Sequence, residues 1–228
     1  MSTRKLELSQ ALTQVQNRIE LAAIAAGRKS SEITLIAVTK TYSVTDVQAL
    51  QELGVVNFGE NRNEEGVAKS AQVSAIWHFQ GQVQSRKLRE IATWASYFHS
   101  LDSADHITKL SRICAELDRR PSIFIQLSLD GAISRGGVVA EALAPLAAQI
   151  SQDPNLHLAG LMCVPPSDYE YERAFGEIAK VQSAFVTNFP GADLLSAGMS
   201  NDFEMAIAYG ATHLRIGSQI LGSRTQHP

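Results

Sequence analysis

The sequence predicts an α/β fold, a single (β/α)8 TIM barrel with an extra N-terminal helix. Three observations predict it. Eight short apolar runs are spaced along the 228 residues. An amphipathic stretch separates each run from the next, the alternation that builds parallel strands with helical crossovers. Several runs are apolar on both faces, as strands covered by helices must be. The rival is an open doubly wound sheet, which the lack of a GxGxxG fingerprint after the first run disfavours. No Pro-, Gly- or Ser-rich linker interrupts the chain, so residues 1–228 read as one domain.

Leu8, Leu12, Val15, Ile19 and Ala22 recur at steps of three and four. They form one apolar stripe on the N-terminal helix, with Gly27 as its stop. The strands then read, in order, "ITLIAVTK", "VVNFGE", "AIWHFQG", "YFHSLD", "SIFIQLSL", "LAGLMCV", "DLLSAGM" and "THLRIG". Helices are expected over 44–53, 62–74, 85–95, 104–117, 138–150, 169–188 and 201–209. The basic run "SRKLRE" is the solvated start of the helix over 85–95. The Gly-rich segment "DGAISRGG", Asp130 to Gly137, follows the fifth strand and is expected to be mobile.

Composition excludes several classes of function. A hydrophobic share of 45% and a charged share of 19% fit an ordinary globular chain. A net charge of −3 offers no field for nucleic acid or an anionic membrane. No apolar run reaches the length of a membrane span, and the N-terminus has no signal-peptide core. Cys114 and Cys163 form neither a CxxC nor a zinc spacing, so no metal is expected. Both sit among apolar neighbours, which suits reduced thiols and a cytoplasmic location. No exposed apolar repeat demands a dimer, so a monomer is expected.

Active sites of such barrels lie where the strands end. Lys40 closes the first strand and by alternation points inward with Ile36 and Val38. Desolvation there favours the neutral amine, the form that attacks an aldehyde to give a Schiff base. The plainer reading is a lysine that snorkels to water. The chain passes from strand seven into a helix at Ser200, and from strand eight into a short turn or helix at Gly217 and Ser218. Backbone N–H groups at helix starts hold phosphate, although Ser200 also suits a plain N-cap. Arg215 shares a face with Gly217 and should enter the barrel mouth, either toward a ligand or in an ion pair with Glu60 or Asp102. Asn57 could reach a ring substituent or satisfy backbone groups. His78 and His99 read as hydrogen-bonded core histidines, and Trp77 and Trp94 as core. An aldehyde for Lys40, a phosphate for the two loops and an acceptor for Arg215 describe pyridoxal 5′-phosphate. A sugar phosphate on a Schiff-base aldolase satisfies the first two only.

At these residues the chain resembles a known family. "AVTKT", "FGEN", "WHFQG", "HSLD", "GLMCVPP" and "LSAGMSNDFEMAIAYGATHLRIGSQILG" look like the YggS/PROSC family of pyridoxal phosphate homeostasis proteins. The resemblance runs from the first helix to Gly222. It implies a barrel similar to the N-terminal domain of alanine racemase. It also implies Lys40 as the Schiff-base lysine, Ser200, Gly217 and Ser218 as phosphate ligands, Arg215 facing the pyridine nitrogen, and Asn57 near the ring. The chain departs from the family pattern at Tyr42, Ser43, Arg86, Arg135 and Ala197. An arginine at the ring nitrogen makes a poor electron sink, because its own proton is too firmly held. The expectation is therefore a carrier without turnover, which buffers pyridoxal phosphate or delivers it to apo-enzymes that use it. The alternative is a racemase or lyase of the same cofactor class, with Tyr42 or His78 as its second base.

Overall fold

A computed structural model describes residues 2–132 and 135–222. Its eight strands close into one barrel in the order β1 to β8. They are β1 (Thr34–Val38), β2 (Asn57–Glu60), β3 (Ile76–Phe79), β4 (Tyr97–Leu101), β5 (Ser122–Leu127), β6 (His157–Cys163), β7 (Leu194–Met199) and β8 (His213–Ile216). All neighbours run parallel, and β8 pairs with β1 to close the ring. The expected barrel is thereby observed, and the rival open sheet is excluded.

The extra helix, α1 (Thr3–Ala25), buries Leu8, Leu12, Val15, Ile19 and Ala23. Ala23 takes the buried place expected of Ala22, which is only partly covered. Gly27 ends the helix at φ 67°. The crossovers follow as α2 (Val44–Glu52), α3 (Asn63–Ser70), α4 (Leu88–Trp94), α5 (Ala104–Leu117), α6 (Leu143–Ser151), α7 (Tyr171–Asn188), α8 (Phe203–Ala208) and a short α9 (Ser218–Leu221). The basic residues Arg86 and Lys87 precede α4 instead of opening it, and α8 starts at Phe203 instead of Asn201.

Alternation along each strand separates two kinds of packing. Outward residues such as Ala37, Phe58, Trp77, Phe98, Ile123, Leu195 and Leu214 join the helices in one core. The interior holds a small apolar cluster of Phe124, Ala159 and Met162. Beside these and the inward Ile36 and Val38, the interior is unusually polar: His78, His99, Ser196, His213 and Arg215 are all buried. Branched aliphatic side chains ordinarily fill that space. Trp77 and Trp94 are core, each indole N–H donating at 3.1 Å, to Val73 C=O and to Asn63 Oδ1. Of the Gly-rich segment Asp130 to Gly137, expected to be mobile, Ile133 and Ser134 lie outside the described residues. Its flanks are tied, Arg135 to Asp130 at 2.9 Å and Gly137 N–H to Asp102 at 2.9 Å.

Candidate functional site

Lys40, Ser200, Arg215, Gly217 and Ser218 all line one cavity of about 360 Å³ at the barrel end where the strands finish. Closure of the ring brings them together. Ile36 of β1 pairs with Arg215 of β8, and Ala37 with Ile216. Lys40 near the start of the chain therefore meets the segment after β8 near its end. β1 stops at Val38, so Lys40 stands not on the strand but in the turn beyond it, half-buried. Gly217 packs against that same stretch. A Cβ added to it would lie 3.1 Å from the Val38 carbonyl oxygen, so the close approach leaves little room for a side chain.

Ser200 is not a helix N-cap. It sits in a turn closed by Asp202 N–H to Met199 C=O at 3.2 Å, with α8 beginning at Phe203. Gly198 permits this sharp exit from β7 with φ 93°, where an added Cβ would lie 2.7 Å from that of Ala206. The Ser218 hydroxyl donates to the Ser200 hydroxyl at 3.1 Å, which joins the two loops into one polar wall. Ser218 opens α9, and the first N–H groups of a helix have no partner within it. Asp202 bends under the turn, where its Oδ1 accepts the Met199 N–H at 2.5 Å. Burial raises its pKa, and the backbone bond and Arg215 oppose that rise.

Arg215 makes no ion pair among the described residues. It donates to Ser196 Oγ at 2.7 Å and to the Cys163 carbonyl at 2.9 Å. The carboxylates expected as partners are engaged elsewhere: Glu60 with Lys69 at 2.6 Å, and Asp102 with the Gly137 N–H. Burial lowers the Arg215 pKa to about 10, which still leaves it charged at neutral pH.

Behind Arg215 a line of side chains crosses the interior. Ser196 Oγ meets His99 Nδ1 at 2.8 Å, His99 Nε2 meets His78 Nδ1 at 2.9 Å, and His78 Nε2 meets Asn57 Oδ1 at 3.0 Å. Their proton positions follow from one end. Asn57 Oδ1 can only accept, so His78 Nε2 carries the hydrogen. Neutral His78 then accepts at Nδ1 from His99 Nε2–H. Neutral His99 accepts at Nδ1 from the Ser196 hydroxyl, which itself accepts from Arg215. Every bond points the same way, away from the cavity, with both rings neutral. Burial holds both pKa values well below the ordinary value, and neighbouring charge adds to this.

Asn57 therefore belongs to this line and not to the cavity wall. It is the first residue of β2, at the rim opposite the one where strands end. Sequence reasoning missed Asn61 and Gln80, which do line the cavity. Asn61 Oδ1 and Gln80 Nε2 are buried and have no hydrogen-bond partner among the described residues. Each is the residue immediately after a strand, β2 and β3, and that position was the available signal. Tyr42 also lines the cavity and donates its hydroxyl to Gly222 C=O at 2.6 Å. His78 does not line it. The cavity thus offers an amine, a fixed cation, a polar wall of hydroxyls with a helix start, and an acceptor and a donor still to be satisfied. That set suits a small polar anion bearing a carbonyl. Among the described residues, no group of His, Cys, Asp or Glu could hold a metal ion. No described helix is long and apolar enough to cross a membrane.

The sequence profile of the alanine racemase N-terminal domain matches residues 12–225. A pyridoxal phosphate homeostasis protein of Corynebacterium glutamicum is 41% identical over 218 residues, 92% of this chain and 99% of that one. The chain belongs to the pyridoxal phosphate homeostasis family, built on the alanine racemase N-terminal domain. PipY of Synechococcus elongatus, solved with PLP bound, superposes with a TM-score of 0.81 at 28% identity, covering 94% of this chain and all of PipY, 100%. Alanine racemase of Clostridium difficile shares the fold at a TM-score of 0.76 and 13% identity, and the match spans 96% of this chain but 57% of the racemase.

Proposed function

We propose that this chain binds pyridoxal 5′-phosphate covalently through Lys40 and serves in its homeostasis, by buffering the cofactor or delivering it to apo-enzymes. One observation carries the reading. The amine of Lys40, the Ser200–Ser218 wall and the Arg215 cation face one cavity that also contains the unsatisfied Asn61 Oδ1 and Gln80 Nε2. The cofactor supplies an aldehyde for the amine and a phosphate for the wall. Its ring presents a nitrogen that Arg215 can donate to, and a hydroxyl that suits Asn61 or Gln80. Ser200, Gly217 and Ser218 hold the phosphate through hydroxyls and backbone N–H groups, where an anion is favoured. Asn57 acts at a distance, as the last acceptor in the line behind Arg215.

The reading has no turnover in it. Arg215 keeps its proton at neutral pH, so the ring nitrogen it faces stays unprotonated and draws electrons weakly. Two groups that could exchange a substrate proton are already engaged, Tyr42 with Gly222 and Asp202 with Met199. Two buried thiols suit a reducing, cytoplasmic setting.

The purified protein should absorb in the visible range with pyridoxal phosphate bound, and Lys40→Ala should abolish the band. Borohydride reduction followed by peptide mapping should place the label on Lys40. A wild-type protein that stays colourless with added cofactor refutes the reading. Incubation with alanine or serine in heavy water should give no Lys40-dependent α-proton exchange, and rapid exchange would establish a racemase-like enzyme. Ser200→Asp should weaken cofactor retention at least tenfold by like-charge repulsion, about 1.4 kcal/mol, as read by dialysis against buffer.

A further inference from the structure

The turn that carries Lys40 is held from both sides by groups outside the cavity. Tyr42 N–H donates to Thr39 C=O at 3.0 Å, so Lys40 and Thr41 are the two central residues of a tight turn. Thr41 has φ 71°. A β-branched residue resists that left-handed conformation, which glycine ordinarily supplies at this position of a turn. The surroundings must enforce it. Glu65 Oε2 accepts the Thr41 N–H at 2.6 Å. Lys69, four residues further along α3, donates to that same Oε2 at 3.0 Å and to Thr39 C=O at 2.7 Å. It also donates to Glu60 Oε1 at 2.6 Å, and Thr39 Oγ1 donates to the same oxygen at 2.6 Å. The residues before and after Lys40 are therefore both fixed by one charged cluster. A buried ion pair adds little net stability compared with apolar side chains of the same size. This one is placed where it controls the backbone at Lys40, yet none of its three members lines the cavity.

We propose that Glu65 and Lys69, together with Glu60, are positioning residues that hold the strained Thr39–Tyr42 turn so that Lys40 Nζ meets an incoming aldehyde in one preset direction. The inference rests on the reading of Lys40 given above. In loading, Nζ bonds to the carbonyl carbon and the carbonyl oxygen leaves as water, giving a C=N bond. Borohydride adds hydride to that carbon and makes the attachment permanent. A small loss of aim costs rate steeply, with about 1 Å worth on the order of a hundredfold.

The test uses the full chain with pyridoxal phosphate and borohydride, and follows the rate of labelling at Lys40 by peptide mapping. Glu65 is partly exposed, with 21% of its side chain accessible, so Glu65→Leu should fold. It should label about tenfold more slowly, while Glu65→Gln, which keeps an acceptor, should label near the wild-type rate. Adding Thr41→Gly to Glu65→Leu should restore most of the rate, because glycine adopts the turn unaided. A purely structural role for Glu65 would not be rescued in this way. Wild-type labelling in Glu65→Leu, or no recovery in the double variant, overturns the proposal. Amide hydrogen exchange at Thr41 in the unloaded protein gives a second readout, and it should accelerate in Glu65→Leu. If the wild type carries no label at Lys40, the cofactor reading fails, and exchange alone decides. Faster exchange in Glu65→Leu supports the clamp, and unchanged exchange refutes it.

Discussion

Ser196 joins Arg215 to the histidines inside the barrel. Its hydroxyl accepts from Arg215 and donates to His99, and both partners are buried. Ser196→Ala would leave a guanidinium N–H and an imidazole nitrogen unsatisfied at once. Each such group costs about 1–3 kcal/mol, so urea denaturation should report a loss of about 3 kcal/mol. The same variant frees one edge of Arg215, and cofactor affinity should fall with it. The inward aim of Arg215 was legible, because the two-residue period of "HLRIG" requires it. Its partners were not, because Ser196 reaches it from the adjacent β7 and Cys163 from β6, one strand further round, and no local pattern states their register. Asn57 lies away from the cavity wall for a related reason. Residues of "VVNFGE" share the strand period, but only the strand's true limits tell which of them stand at the functional rim. β2 begins at Asn57, so Asn61 stands there instead.

At the scale of elements, α1 does more than cover the barrel. Arg18 donates to Gln219 at 2.6 Å and to Glu204 at 2.7 Å, and it lies over the Phe203 ring at 4.6 Å. Gln219 in turn donates to Ser200 C=O. Arg4 bonds Asp46 at 2.8 Å and the Leu221 carbonyl at 2.9 Å. The helix thus braces α8, α9 and the turn at Ser200 from behind. The apolar stripe of α1 was plain in the sequence. This bracing was not, because its contacts span about the length of the chain and come from the polar face. Arg18 and Glu204 are 43% and 39% exposed, and exposed pairs contribute at most about 1 kcal/mol. Arg18→Ala should therefore leave the melting temperature nearly unchanged. It should still speed the release of pyridoxal phosphate severalfold, as followed by loss of visible absorbance on dilution. A release rate equal to wild type would mean that α9 holds its position without α1.

The molecule as a whole encloses three histidines where barrels usually hold aliphatic side chains, and this links its stability to pH. The count and order of strands were legible because each is a short apolar run with its own helix. The character of the interior was only half legible, since His78 and His99 read as core while their linkage to His213 and Arg215 depends on closure of the ring. Burial, with the nearby charge of Arg215, lowers the His213 pKa to about 4. In the unfolded chain a histidine takes up its proton near pH 6.5. Between those values the unfolded state binds more protons than the folded one, so stability falls as pH falls through that window and is level above it. His213 alone accounts for about 3 kcal/mol across the window, and His78 and His99 act in the same direction. Glu60 and Asp202, whose pKa values are raised by burial, oppose the trend at its acidic end. Thermal unfolding followed at pH 8.5, 7.5 and 5 should give similar midpoints at the first two and a clear drop at the third. His213→Asn should reduce that drop while leaving the first two midpoints close together, and an undiminished drop in this variant would remove His213 from the account.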